Sequence, residues 1–394
     1  MTADLSELRE QLATRVAGAS PEIATALRTV PRHLFLPGVP PAEAYLDEAI
    51  VTKRDATGVP VSSSSQPAIM AIMLRQLNLA PGHRVLEIGA GTGYNAALLS
   101  ELTGPAGRVV SIDIDPEVAA EARDHLAAAG YPDVTVLAAD GAEGSAADAP
   151  FDRLIATVGV SDLAPAWLDQ VTDQALIVVP LDVRGAQLSV AFQRAGDGHW
   201  TSRSISPCGF MRMRGSLAGS TMAIELATGL RLRLPERREL ALVSLDGGPV
   251  ASEPTGVTSG TPDVTWGLLL WLAVHEPRAC ELTEEPRPGQ EPRLTQPLFQ
   301  HRAVLISYGI VADEGGIAVL ARDEDRELIA EGYGPGGADL AAELTAQVRA
   351  WYESGSESMK SLRIDAYPRS ASAQPPAAGL IVERPRTRFA VGHA

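Results

Sequence analysis

Cysteine is nearly missing from this sequence of 394 residues: only Cys208 and Cys280 occur. Two thiols are too few for a disulfide framework or a cysteine-based zinc site, so a reducing, cytoplasmic setting is expected. The seven histidines show no spacing that suggests a metal site. Basic residues are short as well. Lys and Arg number 33 against 49 Asp and Glu, leaving a formal net charge of −16 and a pI near 4.9. Affinity for phosphate backbones rests on Lys and Arg, so neither nucleic acid nor an anionic membrane is expected as the main partner. No apolar run is long enough to span a bilayer. The opening "MTADLSELREQL" is acidic and helical in pattern, without a signal peptide's basic and apolar regions. Repeats at solenoid periods are absent.

What is present is the composition of a globular chain, 45% hydrophobic and 21% charged, at a length that favours two domains. From Arg84 to about Ser206, short β-rich runs alternate with helical stretches. The runs are "RVLEI" (84–88), "RVVSI" (108–112), "VTVLA" (134–138), "RLIATV" (153–158) and "ALIVVP" (175–180). Strands separated by helices of ten or so residues predict a parallel sheet covered on both faces. "LSVAFQRAGDGHWTSRSI" then reads as an antiparallel hairpin around Gly-Asp-Gly that closes the sheet. From about Gly219 the chain becomes turn-rich. Strands are expected at 303–311 and 316–322, with a helix in "ADLAAELTAQVRAWYE" that places Leu340, Leu344, Val348 and Trp351 near one face. The expected division is therefore an α/β domain over 1–219, with an N-terminal helical segment, and an additional α+β accessory domain over 220–394, which carries no catalytic signature and is expected to recognise the substrate peptide.

The chemistry is concentrated after the first strand of the alternating region. "LEIGAGTGYN" supplies Glu87, Gly89, Gly91 and Gly93, the glycines spaced G-x-G-x-G. The dinucleotide fingerprint is G-x-G-x-x-G, suited to a pyrophosphate on a helix N-terminus. Here the third glycine comes one residue early, which counts against a nicotinamide dehydrogenase and suits a ligand without phosphates pressed against the backbone. Asp113 follows at the end of the second strand, where it can accept hydrogen bonds from two ribose hydroxyls. "AADGAEG" puts Asp140 and Gly141 at the end of the third, where the carboxylate can accept from an adenine amino group. Each of these features alone could be a structural turn or a helix cap. Their joint order points to an S-adenosylmethionine pocket in a class I, Rossmann-like methyltransferase sheet.

Residues 29–215 also resemble the protein-L-isoaspartate O-methyltransferases. "VPRHLFLPG", "AYLDEAI", "LAPGHRVLEIGAGTGYNAALL" and "APFDRLIATVGV" are similar to motifs of that family lying both inside and outside the generic methyltransferase core. The resemblance implies carboxyl O-methylation. It also implies that "VSSSSQP" (61–67) stands for the family's "GQTISQP", the segment over the methyl donor and the acceptor carboxylate. Ser65 then falls on the family's Ser and Ser63 on its Thr, while Ser62 replaces Gln, Val61 Gly and Ser64 Ile. Ser63 and Ser65 are accordingly the expected acceptor-positioning residues, with Ser62 and Ser64 as further substrate contacts. Thr157, after the fourth strand, is a candidate for the pocket wall or a residue of the sheet. Arg212, where the family has proline, could meet a peptide carboxylate or lie on the surface. Lys53 and Arg54 could steer an acidic peptide or belong to a solvated loop. Ser65 is also placed as N-cap of a helix with Pro67 in its first turn, whose free N–H groups favour a carboxylate.

Because an aspartate side chain is ionised at pH 7, methylation needs alignment and removal of water rather than a general base. The serine substitutions and the long C-terminal region resemble the subgroup found beside ribosomally made, modified peptides. That resemblance implies esterification of an aspartate in a precursor peptide, with the ester cyclising to aspartimide. The alternative is a repair enzyme acting on isoaspartyl peptides, with an added stabilising or dimerising domain. The oligomeric state is not legible.

Overall fold

The computed structural model describes residues 4–393, apart from 19, 57, 220, 242, 259, 261–262, 302, 356–360 and 377–379. The chain divides into two compact units. The first comprises Met1–Asp182, Gln187–Gly219 and Arg363–Gly392; the second comprises Val183–Ala186, Ser220–Leu362 and His393–Ala394.

In the first unit, helices α1 (Leu5–Val16), α2 (Pro21–Thr29) and α3 (Pro41–Ala44) precede a hairpin of β1 (Ile50–Arg54) and β2 (Pro60–Ser64), which leads into α4 (Pro67–Leu77). Then β3 (Arg84–Ile88), α5 (Tyr94–Thr103), β4 (Arg108–Asp113), α6 (Pro116–Ala128), β5 (Thr135–Ala138), β6 (Phe151–Ala156), α7 (Pro165–Asp169) and β7 (Val171–Val183) alternate as expected. The pairs β3–β4, β3–β6, β4–β5 and β6–β7 are all parallel. Val85, Leu86, Ile88, Val109, Val110, Ile112, Leu154 and Ile155 are buried, as strands covered on both faces require. Register sets Ile88 level with Ile112 and with Ala156, and Asp113 level with Ala138. The carboxyl ends of the central strands therefore open onto one edge, and the chain after each contributes to one cleft.

The expected hairpin after Pro180 is formed by β8 (Ala186–Arg194) and β9 (Trp200–Pro207), paired antiparallel. It does not close the sheet. The order runs β5–β4–β3–β6–β7–β8–β9 and continues through strands 362–368, 387–393 and 380–383, with Asp365 opposite Thr201. Buried Asp162 anchors this return by accepting the Arg386 N–H at 2.8 Å. The expected accessory segment 220–394 is thus split. Its last thirty or so residues complete the first unit's sheet, which covers an edge that would otherwise expose unpaired backbone groups.

The second unit is built on an antiparallel sheet in the order 222–227, 230–234, 279–284, 304–311, 317–322, 327–333 and 251–258. The helix Gly337–Glu353 packs on strands 251–258, 317–322 and 327–333. It buries Leu340, Leu344, Val348 and Trp351, the stripe expected from its period. No helix among the described residues is long and apolar enough to cross a membrane.

Candidate active site

The glycine turn follows β3. Gly89, Gly91 and Gly93 all have positive φ, at 99°, 52° and 87°, a region that L side chains adopt at a cost. The N–H groups of Gly89 and Ala90 both donate to Ile112 O, at 2.7 and 3.1 Å, stapling the turn to β4. A Cβ at Gly89 would lie 2.8 Å from Thr157 Oγ1, and one at Gly91 would lie 3.3 Å from Ser63 O. Thr157 therefore closes the turn from one side, donating its hydroxyl to Gly89 O at 2.6 Å, and the serine strand crosses it on the other.

Asp113 is held by this turn. Its Oδ2 accepts the Gly91 N–H at 3.1 Å and its Oδ1 the Asp115 N–H at 3.0 Å. An ionised carboxylate offers about four acceptor sites, so two remain for ligand hydroxyls. Asp140 accepts the N–H of Ala142 at 3.0 Å and of Ser216 at 2.8 Å. Burial pushes its pKa up, but these N–H groups and the Arg386 charge outweigh that and hold it below the usual carboxylate range. Gly141 is packed so closely that a Cβ would meet Ile88 Cγ2 at 2.5 Å.

Sequence reasoning missed the segment that packs against Asp140. Gly215, at φ 84°, has no room for a Cβ, which would lie 2.7 Å from Asp140 Oδ2 and 2.8 Å from Ile114 Cδ1. Ile114, directly after Asp113, is 37% exposed, and Met213 approaches Gly141 from the same segment. An isoleucine directly after the acid at a strand end was the available signal.

Glu87, expected among the donor contacts, is wholly buried. Its Oε1 accepts from Asn95 Nδ2 at 2.7 Å and its Oε2 from Ser111 Oγ at 2.5 Å. It therefore braces the turn from behind, joining β3 to α5 and β4, and does not reach the cleft. Burial pushes its pKa up to about 7; the Ser111 and Asn95 hydrogen bonds pull it down, and the Asp113 charge adds a smaller push upward. A raised folded-state pKa means that stability from this group is full below the unfolded value near 4.5 and is lost as pH rises through 7. Glu87→Gln abolishes that titration. Urea unfolding at pH 5 and pH 8 should show the wild type losing about 2–3 kcal/mol more than the variant over that interval; equal losses would disprove the assignment.

The serine run divides by its strand period. Ser62 and Ser64 are 8% and 3% exposed, and Ser63 and Ser65 are the more open pair. Ser62 Oγ accepts from Thr52 Oγ1 across the hairpin at 3.2 Å, and the Ser64 hydroxyl is buried with no hydrogen-bond partner among the described residues. The two expected substrate contacts thus point into the hairpin's packed side. The hairpin is fastened by Lys53, whose Nζ lies 2.7 Å from both Asp115 Oδ2 and Glu117 Oε2 at the start of α6; it is an internal tie, not a steering charge.

Two further expectations change. Ser65 does not cap α4: the N-cap is Gln66, and the cap's work is done by Asp47, whose Oδ1 accepts the Ala68 N–H at 2.8 Å. A carboxylate already occupies that helix end. Arg212 is committed as well, its Nη1 lying 2.5 Å from Asp182, whose side chain is only 5% exposed. Removing water from Asp182 makes this partner costly to give up, so a peptide carboxylate would compete poorly for it.

This geometry sits within a set of known proteins. A family model for protein-L-isoaspartate(D-aspartate) O-methyltransferase matches residues 3–217, more than half of the chain. The protein-L-isoaspartate O-methyltransferase of Methanopyrus kandleri is 36% identical over 212 residues, 52% of this chain and 91% of that protein. Protein-L-isoaspartate O-methyltransferase 2 of Archaeoglobus fulgidus is 34% identical over 218 residues, 54% of this chain and 95% of its own. A solved structure titled protein-L-isoaspartate O-methyltransferase shares the fold, with a TM-score of 0.52 at 22% identity, over 92% of this chain and 96% of that one. That likeness extends well past residue 217, so a long C-terminal region is not foreign to chains bearing this title. The chain belongs to the protein-L-isoaspartate O-methyltransferase family, carboxyl methyltransferases that use S-adenosylmethionine.

Proposed function

We propose that this chain methylates an aspartyl-derived carboxylate in a peptide or protein, and that an isoaspartyl residue is the acceptor its site fits best. The single observation that carries this reading is the alternation of the serine run. The two positions that keep the family's hydroxyls, Ser63 and Ser65, form the open face, and the two that depart from it, Ser62 and Ser64, are packed away. The departures therefore leave the acceptor-facing chemistry as it is in the repair enzymes.

The cleft fits S-adenosylmethionine. The glycine turn leaves its backbone bare, and Asp113 keeps acceptor sites for the ribose hydroxyls. Asp140 and Ile114 lie where an adenine's amino group and face can be met. When bound, the donor supplies an electrophilic methyl group. The chain's own residues bind, align and exclude water. Ser63 and Ser65 donate hydroxyl hydrogen bonds that orient the acceptor carboxylate, weakly enough to leave it nucleophilic. Thr157 acts indirectly, by fixing Gly89. The hairpin, tied down by Lys53, keeps solvent from the glycine turn. No side chain is needed as general base, because the acceptor is already ionised.

A second reading is the tailoring of an aspartate in a ribosomally made precursor peptide, with later closure to aspartimide. The buried Ser64 hydroxyl, which has no partner among the described residues, favours it, since the acceptor strand has been changed where stability gains nothing. The long C-terminal region no longer favours either reading, given the fold likeness beyond residue 217.

Labelled methyl donor offered with an isoaspartyl peptide, its aspartyl twin and a constrained precursor peptide separates the two. Labelling of the isoaspartyl peptide alone is expected; preference for the aspartyl or precursor peptide would transfer the assignment to tailoring. Ser63→Ala and Ser65→Ala should each raise the acceptor KM about tenfold, the worth of one hydrogen bond to a charged group, with donor affinity unchanged. An unaltered KM would remove the positioning role from that hydroxyl.

A further inference from the structure

Arg32, in the turn between α2 and α3, is wholly buried, yet it has no ion pair among the described residues. A guanidinium removed from water ordinarily demands a carboxylate, because a buried lone charge is strongly unfavourable. Its Nε donates to Ala44 O at 2.8 Å and its Nη2 to Ser65 O at 3.0 Å. Its guanidinium carbon lies 4.8 Å from the centre of the Tyr94 ring. Among the described residues Nη1 has no hydrogen-bond partner, and neither does the buried Tyr94 hydroxyl. Burial pushes the Arg32 pKa down, opposed by lesser pulls from Tyr94, Tyr45 and Asp47; an arginine nonetheless stays charged. Asp47 itself is engaged by Ala68 and Gln66.

These contacts join the two halves of the site. Ser65 ends the serine run, and Tyr94 opens α5 directly after Gly93. One side chain therefore links the strand of the acceptor to the turn of the donor, and its charge, with no carboxylate in ion-pair contact among the described residues, is held against the Ser65 main chain. The geometry points to Arg32 as a positioning residue for the acceptor: it fixes the Ser65 main chain against the glycine turn, and its buried charge favours a carboxylate over a neutral group at the serine run. This rests on the acceptor site proposed above.

The full chain, saturated with S-adenosylhomocysteine, is titrated with an isoaspartyl peptide and with the same peptide bearing a neutral carboxamide in place of the acceptor carboxylate. The wild type should prefer the carboxylate by about tenfold or more, and Arg32→Met should cut that preference to about twofold. S-adenosylhomocysteine affinity should fall by less than that of the carboxylate peptide, since Arg32 meets the donor's turn only through the Tyr94 ring. Arg32→Lys keeps the charge but loses the planar fork, so it should retain the preference while weakening both peptides by about fivefold. A merely structural arginine would weaken both peptides alike in Arg32→Met, and an undiminished preference there overturns the proposal. If Arg32→Met does not fold, Arg32→Lys decides: wild-type affinity for both peptides overturns it too. Should the wild type bind S-adenosylhomocysteine but neither peptide, the acceptor site falls and this inference with it.

Discussion

Asp113→Ala is expected to weaken S-adenosylhomocysteine binding about a hundredfold, with a melting temperature within a few degrees of wild type. Hydrogen bonds to a charged acceptor are worth about 1.5–3 kcal/mol each, and two ribose hydroxyls would lose theirs, so even the low estimate reaches two decades of affinity. The carboxylate also accepts the Gly91 N–H at 3.1 Å and the Asp115 N–H at 3.0 Å, so its removal loosens the glycine turn as well. Asp113→Asn keeps one acceptor oxygen and most of the shape, and should fall between wild type and alanine. Calorimetric titration reads all three. Wild-type affinity in the alanine variant would take the ribose contact away from Asp113 and leave the cleft without its main polar anchor.

Gly89→Val should be the most damaging single change at the turn. The new Cβ would stand 2.8 Å from Thr157 Oγ1 and 3.0 Å from Val158 Cγ1, on a backbone at φ 99°. Backbone strain of about 1–3 kcal/mol and overpacking of about 1–3 kcal/mol act together. That makes a loss of about 4 kcal/mol in stability, along with donor binding. Gly130→Ala is the matched control: φ is 92°, but nothing lies within 4 Å of the added carbon. It should cost about 1–2 kcal/mol, the strain term alone, and leave methyl transfer intact. Unfolding titrations of both variants separate conformation from crowding, and equal losses would mean that the contact with Thr157 carries no weight.

The contrast between these glycines bears on how much of the site is legible in one dimension. Glycines at 89, 91 and 93 and acids at 113 and 140 can be read in order, because a turn after a strand is a local event. Neighbouring atoms forbid most side chains there, and the next residues start a helix. The parallel strands are legible for the same reason, since apolar runs of five or six residues between helical stretches have few other places to go. Residues whose meaning depends on distant chain are harder to read. Ser65 looks like a helix cap when only its neighbours are considered, but Asp47, 21 residues earlier than Ala68, takes that place. Arg212 looks available until Asp182, thirty positions away, is found beneath it. Arg32 carries no signal beyond its motif, because a missing partner leaves no mark on a linear pattern.

The order of elements, the bare glycine backbone and the acids at the strand ends were determined by the sequence itself, since sterics and hydrophobic period act over a few residues. Which serines are packed away and which carboxylates are already spent were decided only by the tertiary structure. So was the return of residues near 386 to the sheet of residues near 162, because hydrogen-bond partners and burial arise from segments up to 224 positions apart.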